Sequence, residues 1–442
     1  MSDLYRIGAG AGFAGDRLDP ARLLARDGAL DAIVFECLAE RTVGLAQQRR
    51  SSGGVGFDAR TVDRIVSVAE SMRSRGGIIV TNGGAADPVG AAHLTSSRLE
   101  GIAPGSVVAA VSGDDVLASI DRSQARVDGT DQTLADLGDR VVSANAYLGM
   151  AGIVDALDLG ANTIITGRVS DAALFLGPLA HRFGWAPDDW RSIAEGTLVG
   201  HLLECAGQLT GGYFADGVSK TVPHLATLGF PYADVRSDGA AVYGKVDGTG
   251  GRLDGMTVLE QLLYEIDDPQ AYLTPDAIVD LSAVSVDEVG PSRVSVSGAR
   301  ANGRPERLKV SVGVRDGFAA VASINYGGYR AVARARLAAE IIHERWQDVL
   351  GWDDEIHCEY VGHNALSPWA APSAEPTEVQ VRFSTRTLRA EVARSLVHEI
   401  EALYTNGPAG GGGVSGSITE TIGIVSTFID RDEVQTKVEM VS

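Results

Sequence analysis

Six short apolar runs in the first half of the chain each end on residues able to hold a ligand or move a proton. In order these are Asp16 and Arg17, Glu36 and Glu40, Asn82 with Gly83 and Gly84, Asp114 and Asp115, Asn145 and Tyr147, and Arg168 with Asp171. Carboxylates take up and return protons, and arginines neutralise a substrate carboxylate or phosphate. One polar residue after a strand means little, because loops are polar; six strand ends in succession form a pattern. Several members have an ordinary alternative role. Asp171 suits the cap of the helix that follows it, while Asp114-Asp115 and Asn82-Gly83 suit turns. Arg168 is harder to explain that way. It follows an apolar strand and precedes an apolar helix, so its charge needs Asp16, Asp114 or a bound anion as partner.

A second candidate stretch is "HLLECAGQLTGGYF", where His201, Glu204 and Cys205 fall at i, i+3 and i+4 on one helical face. A lone His-x-x-Glu is a weak metal signal, since a site needs three or four ligands. Glu204 suits a buried general acid or base, and Cys205 a nucleophile only if a base and a positive field reach it. Gly211 and Gly212 just beyond could expose backbone amides to an oxyanion or phosphate. Gly250 and Gly251 could do the same beside Arg252, ahead of a capping box at Thr257 and Glu260. The "NGPAGGGGVSG" stretch (406–416) suits a lid. The chemistry therefore centres on Asp16, Asp114 and Glu204 as acid–base groups. Arg17, Asn82, Gly83, Asn145, Arg168, Asp171, Gly211, Gly212, Gly250 and Gly251 are substrate-binding candidates, and neither a metal nor a cofactor is expected.

The glycine spacing Gly10-x-Gly12-x-x-Gly15 matches a dinucleotide fingerprint, and Glu36 lies 21 residues after Gly15 as its acidic partner would. That fold needs a helix opening within the glycines, so that its amides meet the pyrophosphate. Asp19-Pro20 places the helix start later, with Asp19 as N-cap and Pro20 as first helical residue. The glycines then form a loop that carries Asp16 and Arg17 into a crevice.

The elements that must position these residues are "LYRIG", "LDAIVFE", "GGIIVT", "SVVAAVS", "DRVVSAN" and "ANTIITG", separated by amphipathic or Ala-rich segments. Continuous apolar strands alternating with helices predict an α/β fold: a doubly wound, mostly parallel sheet over residues 1–215. Ligands of such sheets bind beyond the carboxyl ends of the strands. Residues 216–442 read as an α+β lobe packed against that domain. Its signals are a hairpin at Asp238-Gly239, a turn at Arg315-Asp316-Gly317, and helices over 330–350 and 388–407.

A net charge of −20 argues against nucleic acid and anionic membranes as partners. No run of about 18 apolar residues suggests a membrane span, and the N-terminus lacks a secretory pattern. Three separated cysteines without a CxxC pair fit the cytoplasm. The chain carries no P-loop, no HExxH and no nucleophile elbow. A homo-oligomer is the expectation from base rates alone.

The ordered motifs "GAGAGFAGDRLDP", "ECLAERTVG", "TNGGAADP", "GDDV", "SANAYLG", "TGRVSDAALFLGPLAHRFGW", "GHLLECAGQLTGGYF", "GTGG", "EQLLYEIDDPQAYLTPD" and "GPAGGGG" resemble the acyclic terpene utilisation AtuA family over essentially the whole chain. Some relatives carry an additional C-terminal ferredoxin-like domain, which this chain is expected to lack. The resemblance implies a bacterial cytoplasmic protein linked to catabolism of citronellol- or geraniol-type chains activated as coenzyme A thioesters. Residues and resemblance together lead to an enzyme of lyase or hydratase type, acting on a branched acyl thioester or related carboxylic acid. A non-catalytic ligand-binding or complex-forming subunit of the pathway is the alternative, and a nucleotide-dependent ligase or kinase the third reading.

Overall fold

The computed structural model describes residues 4–367, 369 and 376–441. Strands and helices alternate through the first half: β1 (Leu4–Ala11), α1 (Asp19–Asp27), β2 (Ala32–Phe35), α2 (Glu40–Ser51), α3 (Ala59–Arg73), β3 (Ile78–Thr81), α4 (Pro88–Leu99) and β4 (Val108–Ser112). There follow β5 (Val141–Ala146), α5 (Ala151–Asp158), β6 (Thr163–Thr166), α6 (Ala173–Phe183), α7 (Trp190–Leu203), β7 (Pro231–Arg236), β8 (Ala241–Lys245) and α8 (Gly255–Leu262). No helix among the described residues is long and apolar enough to cross a membrane.

The large sheet has ten strands in the order 285–290, 293–297, β8, β7, β1, β2, β3, β6, β4, 437–441. Its centre, β1-β2-β3-β6-β4, is parallel. Antiparallel strands flank that centre on both sides, so the sheet is mixed where a mostly parallel one was expected. The central strands are buried along their length, as in β2 "AIVF" and β6 "TIIT". Two helix groups, α1-α3-α4 and α5-α6-α7, lie against the sheet. Each fully buried Ile, Val, Leu or Phe in this core, such as Ile33, Val34, Ile164 and Phe175, contributes roughly 1.5–3 kcal/mol of transfer free energy.

The second half shows where turn signals hold and where packing overrides them. Asp238-Gly239 does turn the β7–β8 hairpin, with Gly239 at φ +84°. Arg315-Asp316-Gly317 does not reverse the chain. One strand runs from Arg307 to Gly327, and Gly317 takes φ +76° within it. β5 pairs with this long strand and stands outside the large sheet. The glycines expected as a lid begin the strand Gly411–Asp430, and the Gly412 and Gly413 carbonyls accept from Asn325 Nδ2 at 3.2 and 3.0 Å.

The chain divides into two compact units, residues up to Gly313 together with those from Ile424 on, and Val314–Gly423. The division drawn from sequence at 215/216 falls inside the first. The second unit runs strand–helix–strand–strand–helix–strand, with spatial order second, third, first, fourth. That is the split-βαβ ferredoxin-like plan, a topology expected from sequence only in an appended domain of some relatives. Its core joins Trp346, Phe383, Leu396 and Ile400.

Two helix starts differ from their sequence signals by a few residues. α1 opens at Asp19 with Leu18 as N-cap and no side-chain cap bond, so Asp19 sits in the first turn. The capping box of α8 is built by Asp254, whose carboxylate accepts from Met256 and Thr257, and by Thr257. Glu260 instead pairs with Lys220 at 2.5 Å. Asp254→Ala should therefore lower stability by about 1 kcal/mol in urea unfolding, and Asp254→Asn, which keeps an N-cap acceptor, by less.

Candidate functional site

Four parallel strand ends and the end of α7 build one site, and each contributes a group for a specific reason. Beyond β1 the chain makes a tight loop. Gly12 N–H donates to Asp16 Oδ2 at 2.7 Å, and Asp16 N–H donates to Phe13 O at 3.2 Å. A Cβ on Gly12 would lie 2.5 Å from the backbone carbon of Cys205, so only glycine lets this loop meet the end of α7. From α3 the buried Arg64 supports the loop from beneath, donating to Ala14 O at 2.6 Å and Asp16 O at 3.2 Å.

Beyond β2 and β3, Asn82 acts as a stitch. Its Oδ1 accepts from Cys37 N–H at 2.7 Å, while its Nδ2 reaches Glu36 Oε1 at 3.0 Å and Asp171 Oδ1 at 3.4 Å. Glu36 Oε1 also accepts from Leu38 N–H at 2.7 Å. Burial, reinforced by the charge of Asp171, pushes the Glu36 carboxyl up to about 8. Asp171 is raised as well, chiefly by burial, although Arg168 opposes the shift.

Beyond β6, Arg168 is 2% exposed. Its Nη1 donates to Leu38 O and, at 3.1 Å, to Asp171 Oδ1, and its guanidinium lies 4.0 Å from the centre of the Tyr147 ring. The Tyr147 hydroxyl donates to Glu40, and Lys309 Nζ stands 3.5 Å from the same carboxylate. Burial alone would raise Glu40, but the Tyr147 hydrogen bond and the nearby cations outweigh it and bring the group down to about 2. Asp114 lies behind this layer. Its Oδ2 accepts from Arg168 N–H at 2.9 Å and Asn145 Nδ2 at 2.8 Å, and burial raises its carboxyl.

Glu204 caps the C-terminal end of α7, with His201 Nδ1 3.1 Å from its Oε1. Beside it, Cys205 is pushed far up by burial and by the charge of Glu204, and burial raises Cys37 to about 12. Both are thiols at neutral pH, so neither is an activated nucleophile.

These ends enclose a cavity of about 760 Å³. Of the catalytic and binding candidates named from sequence, Asp16, Arg17, Arg168, Asp171, Glu204, Cys205 and Gly212 line it. Asp114, Asn82, Gly83 and Asn145 lie among its supports: Gly83 O accepts from Thr61 Oγ1 at 3.2 Å, under the β3 end. Gly211, Gly212, Gly250 and Gly251 do not present free amides. Their N–H groups donate to Gln208 O, Gly207 O, Thr227 O and Pro223 O at 2.8–3.0 Å. Gly211 and Gly251 serve conformation, at φ +97° and +102°.

Glu36 and Glu40 also line the cavity, and both carried the strand-end signal without being ranked as site residues. Phe13 and Tyr213 at its rim had a weaker sign: large apolar residues inside glycine-rich loops. They are 59% and 85% exposed, and Tyr213 holds a left-handed φ of +65°. Among the described residues no group of three or more His, Cys, Asp or Glu is arranged to hold a metal ion.

Comparison with known families matches residues 5–440 to the acyclic terpene utilisation family protein AtuA. The match covers nearly the whole chain, and the chain belongs to this family. No curated protein matches it.

A carboxyl raised by folding contributes its full stability below its unfolded pKa and loses that contribution as the pH rises towards its folded value. Wild type should therefore lose stability between about pH 5 and pH 8 relative to Glu36→Gln, which keeps the acceptor for Leu38 and Asn82. Urea midpoints measured across that range test this, and parallel curves for the two proteins refute it. Gly12→Ala should cost about 1–3 kcal/mol by forcing the loop away from Cys205, read in the same assay.

Proposed function

Taking that membership as premise, we propose that the protein is an acid–base enzyme of lyase or hydratase type in the utilisation of acyclic terpenes. Its substrate is a branched acyl thioester or a related carboxylic acid, bound in the 760 Å³ cavity. The observation that carries this reading is the carboxyl pair Glu36–Asp171, bridged by the Asn82 amide beside the Arg168 guanidinium. Burial and the charge of Asp171 together raise Glu36, which keeps its proton near neutral pH. Glu204 supplies a carboxyl on the opposite element, the end of α7.

In the dehydration direction, Glu204 takes the proton from the carbon beside the carbonyl. That electron pair forms the double bond, and the hydroxyl leaves as water with the proton of the Glu36–Asp171 pair. Hydration is the reverse. One group in each protonation state within one cavity is what this chemistry requires. Arg168 provides a fixed positive charge for the carbonyl oxygen as it becomes negative. Asp16 shapes the loop from within, and Asp114 with Asn145 positions Arg168 by gripping its backbone.

The rim supports the substrate class. Phe13, Tyr213 and Leu225 form an apolar margin, all of them well exposed, around a polar floor. An amphipathic molecule enters with its polar head inward and its hydrocarbon chain across that margin. Arg17 at the mouth is exposed and suits a phosphate or carboxylate of the ligand.

Incubation with branched 3-hydroxyacyl and 2,3-unsaturated acyl coenzyme A thioesters, followed by mass spectrometry, tests the reading. Glu36→Gln and Glu204→Gln should each lower kcat/KM by about 10²–10⁴-fold. Tyr213→Ala should raise KM for long chains and leave short ones unchanged. Protein that binds these thioesters tightly and never changes their mass would be a ligand-binding subunit instead.

A further inference from the structure

His201 has no part in the scheme above. It lies in the last turn of α7, 1% exposed, and does not line the cavity. Its ring is nevertheless held at both nitrogens. Nε2 is 3.1 Å from Leu262 O, and Nδ1 is 3.1 Å from Glu204 Oε1. The Tyr272 ring lies beside it, 5.2 Å between centroids.

A carbonyl oxygen can only accept, so Nε2 carries a proton. If the ring bore no other, Nδ1 would turn a lone pair towards the carboxylate at 3.1 Å, leaving two acceptors face to face. A proton therefore lies between Nδ1 and Oε1. The second oxygen, Glu204 Oε2, is buried, has no hydrogen-bond partner, and belongs to a residue of the cavity wall. A buried carboxylate oxygen without a partner costs about 1–3 kcal/mol or more, which marks it as reserved for something that binds.

We propose that His201 is a positioning residue that donates from Nδ1 to Glu204 Oε1, fixing the carboxylate so that Oε2 is free to take the substrate proton. This rests on the acid–base reading of the cavity. The roles of the two carboxyl sites then follow from their neighbours. Glu36 keeps a proton because burial and the charge of Asp171 act on it, and Glu204 accepts a hydrogen bond from the ring that faces it. When Oε2 accepts the substrate proton, the C–H bond breaks, its electron pair enters the new double bond, and Glu204 becomes a carboxylic acid still hydrogen-bonded to the imidazolium. Solvent takes that proton after product leaves.

The charge state of His201 agrees with this. Burial opposes the imidazolium, yet the hydrogen bond and charge of Glu204 and the Leu262 carbonyl raise its pKa above the ordinary value. The other titratable groups near this pair are Cys205 next to Glu204, Tyr272 beside the ring, Glu265 beyond α8 and Asp171 beyond β6. Cys205 and Tyr272 are both held neutral by burial. The remaining carboxyl groups add negative charge, which favours the imidazolium.

Nitrogen-15 spectra of the histidine rings test the proposal directly, with His201 assigned by its absence from a His201→Asn variant. At pH 7 both ring nitrogens of His201 should be protonated in wild type, and only one in Glu204→Gln. A neutral ring with bare Nδ1 in wild type overturns the proposal. In turnover, His201→Phe should lower kcat about 10-fold or more with KM unchanged, and His201→Asn, which keeps a donor, should recover part of the loss. An unchanged kcat in His201→Phe, or a change in KM alone, also overturns it. If wild type turns over no thioester, the enzymatic reading fails, while the ring spectra still decide whether His201 holds Glu204 as described.

Discussion

Arg168 is almost fully buried, and its guanidinium finds most of its compensation within the chain, with Nε left unpartnered among the described residues. It does so at the place where the strands of the sheet end. The Leu38 carbonyl comes from beyond β2, Asp171 from the turn into α6, and the Tyr147 ring from beyond β5. Asp114 grips the Arg168 amide from the end of β4. Each partner is in turn held by another: Tyr147 by Glu40, Asp171 by Asn82, Asp114 by Asn145. One desolvated cation thus ties together residues from several strand ends. Removal of Arg168 would leave Asp171 and Glu36 facing each other without a counter-charge.

That network sorts the acidic groups by environment. Glu40 is surrounded by Tyr147, Lys309 and Arg168 and stays ionised far below neutral pH. Glu36, of the same type and four residues away, is raised by burial and by the charge of Asp171, and stays protonated near neutral pH. A net charge of −20 does not convey this, since a protonated Glu36 contributes no negative charge to the cavity.

The strand-end rule was legible in the sequence because it depends on chain direction: apolar runs show where strands stop, and parallel strands stop on the same side. Asp16, Arg168 and Asp171, all read as strand-end residues, line one cavity. The rule failed for β5, whose apolar run resembles the others but pairs with Arg307–Gly327, a strand more than 150 residues later. No local pattern encodes such a pairing. The glycine loops failed for a related reason. A glycine stretch shows that the backbone needs freedom, but not whether its amides face a ligand or a carbonyl of the same chain, as those of Gly250 and Gly251 do. Edge strands added antiparallel to the parallel centre were also beyond the reach of periodicity, which gives a strand but not its neighbour.

The cysteines of the cavity bear on how it would meet reactive small molecules. Cys37 and Cys205 are both held as thiols, Cys37 fully buried and Cys205 beside a carboxylate. Alkylating or oxidising agents, which need a thiolate, find little to attack there. A carboxyl kept protonated at neutral pH is, by contrast, uncommon on a protein surface and chemically distinct from the ionised carboxylates around it. An inhibitor that bonds covalently to carboxylic acids, with a branched hydrocarbon tail for the Phe13–Tyr213 margin, has in Glu36 a target that thiol reagents would leave untouched.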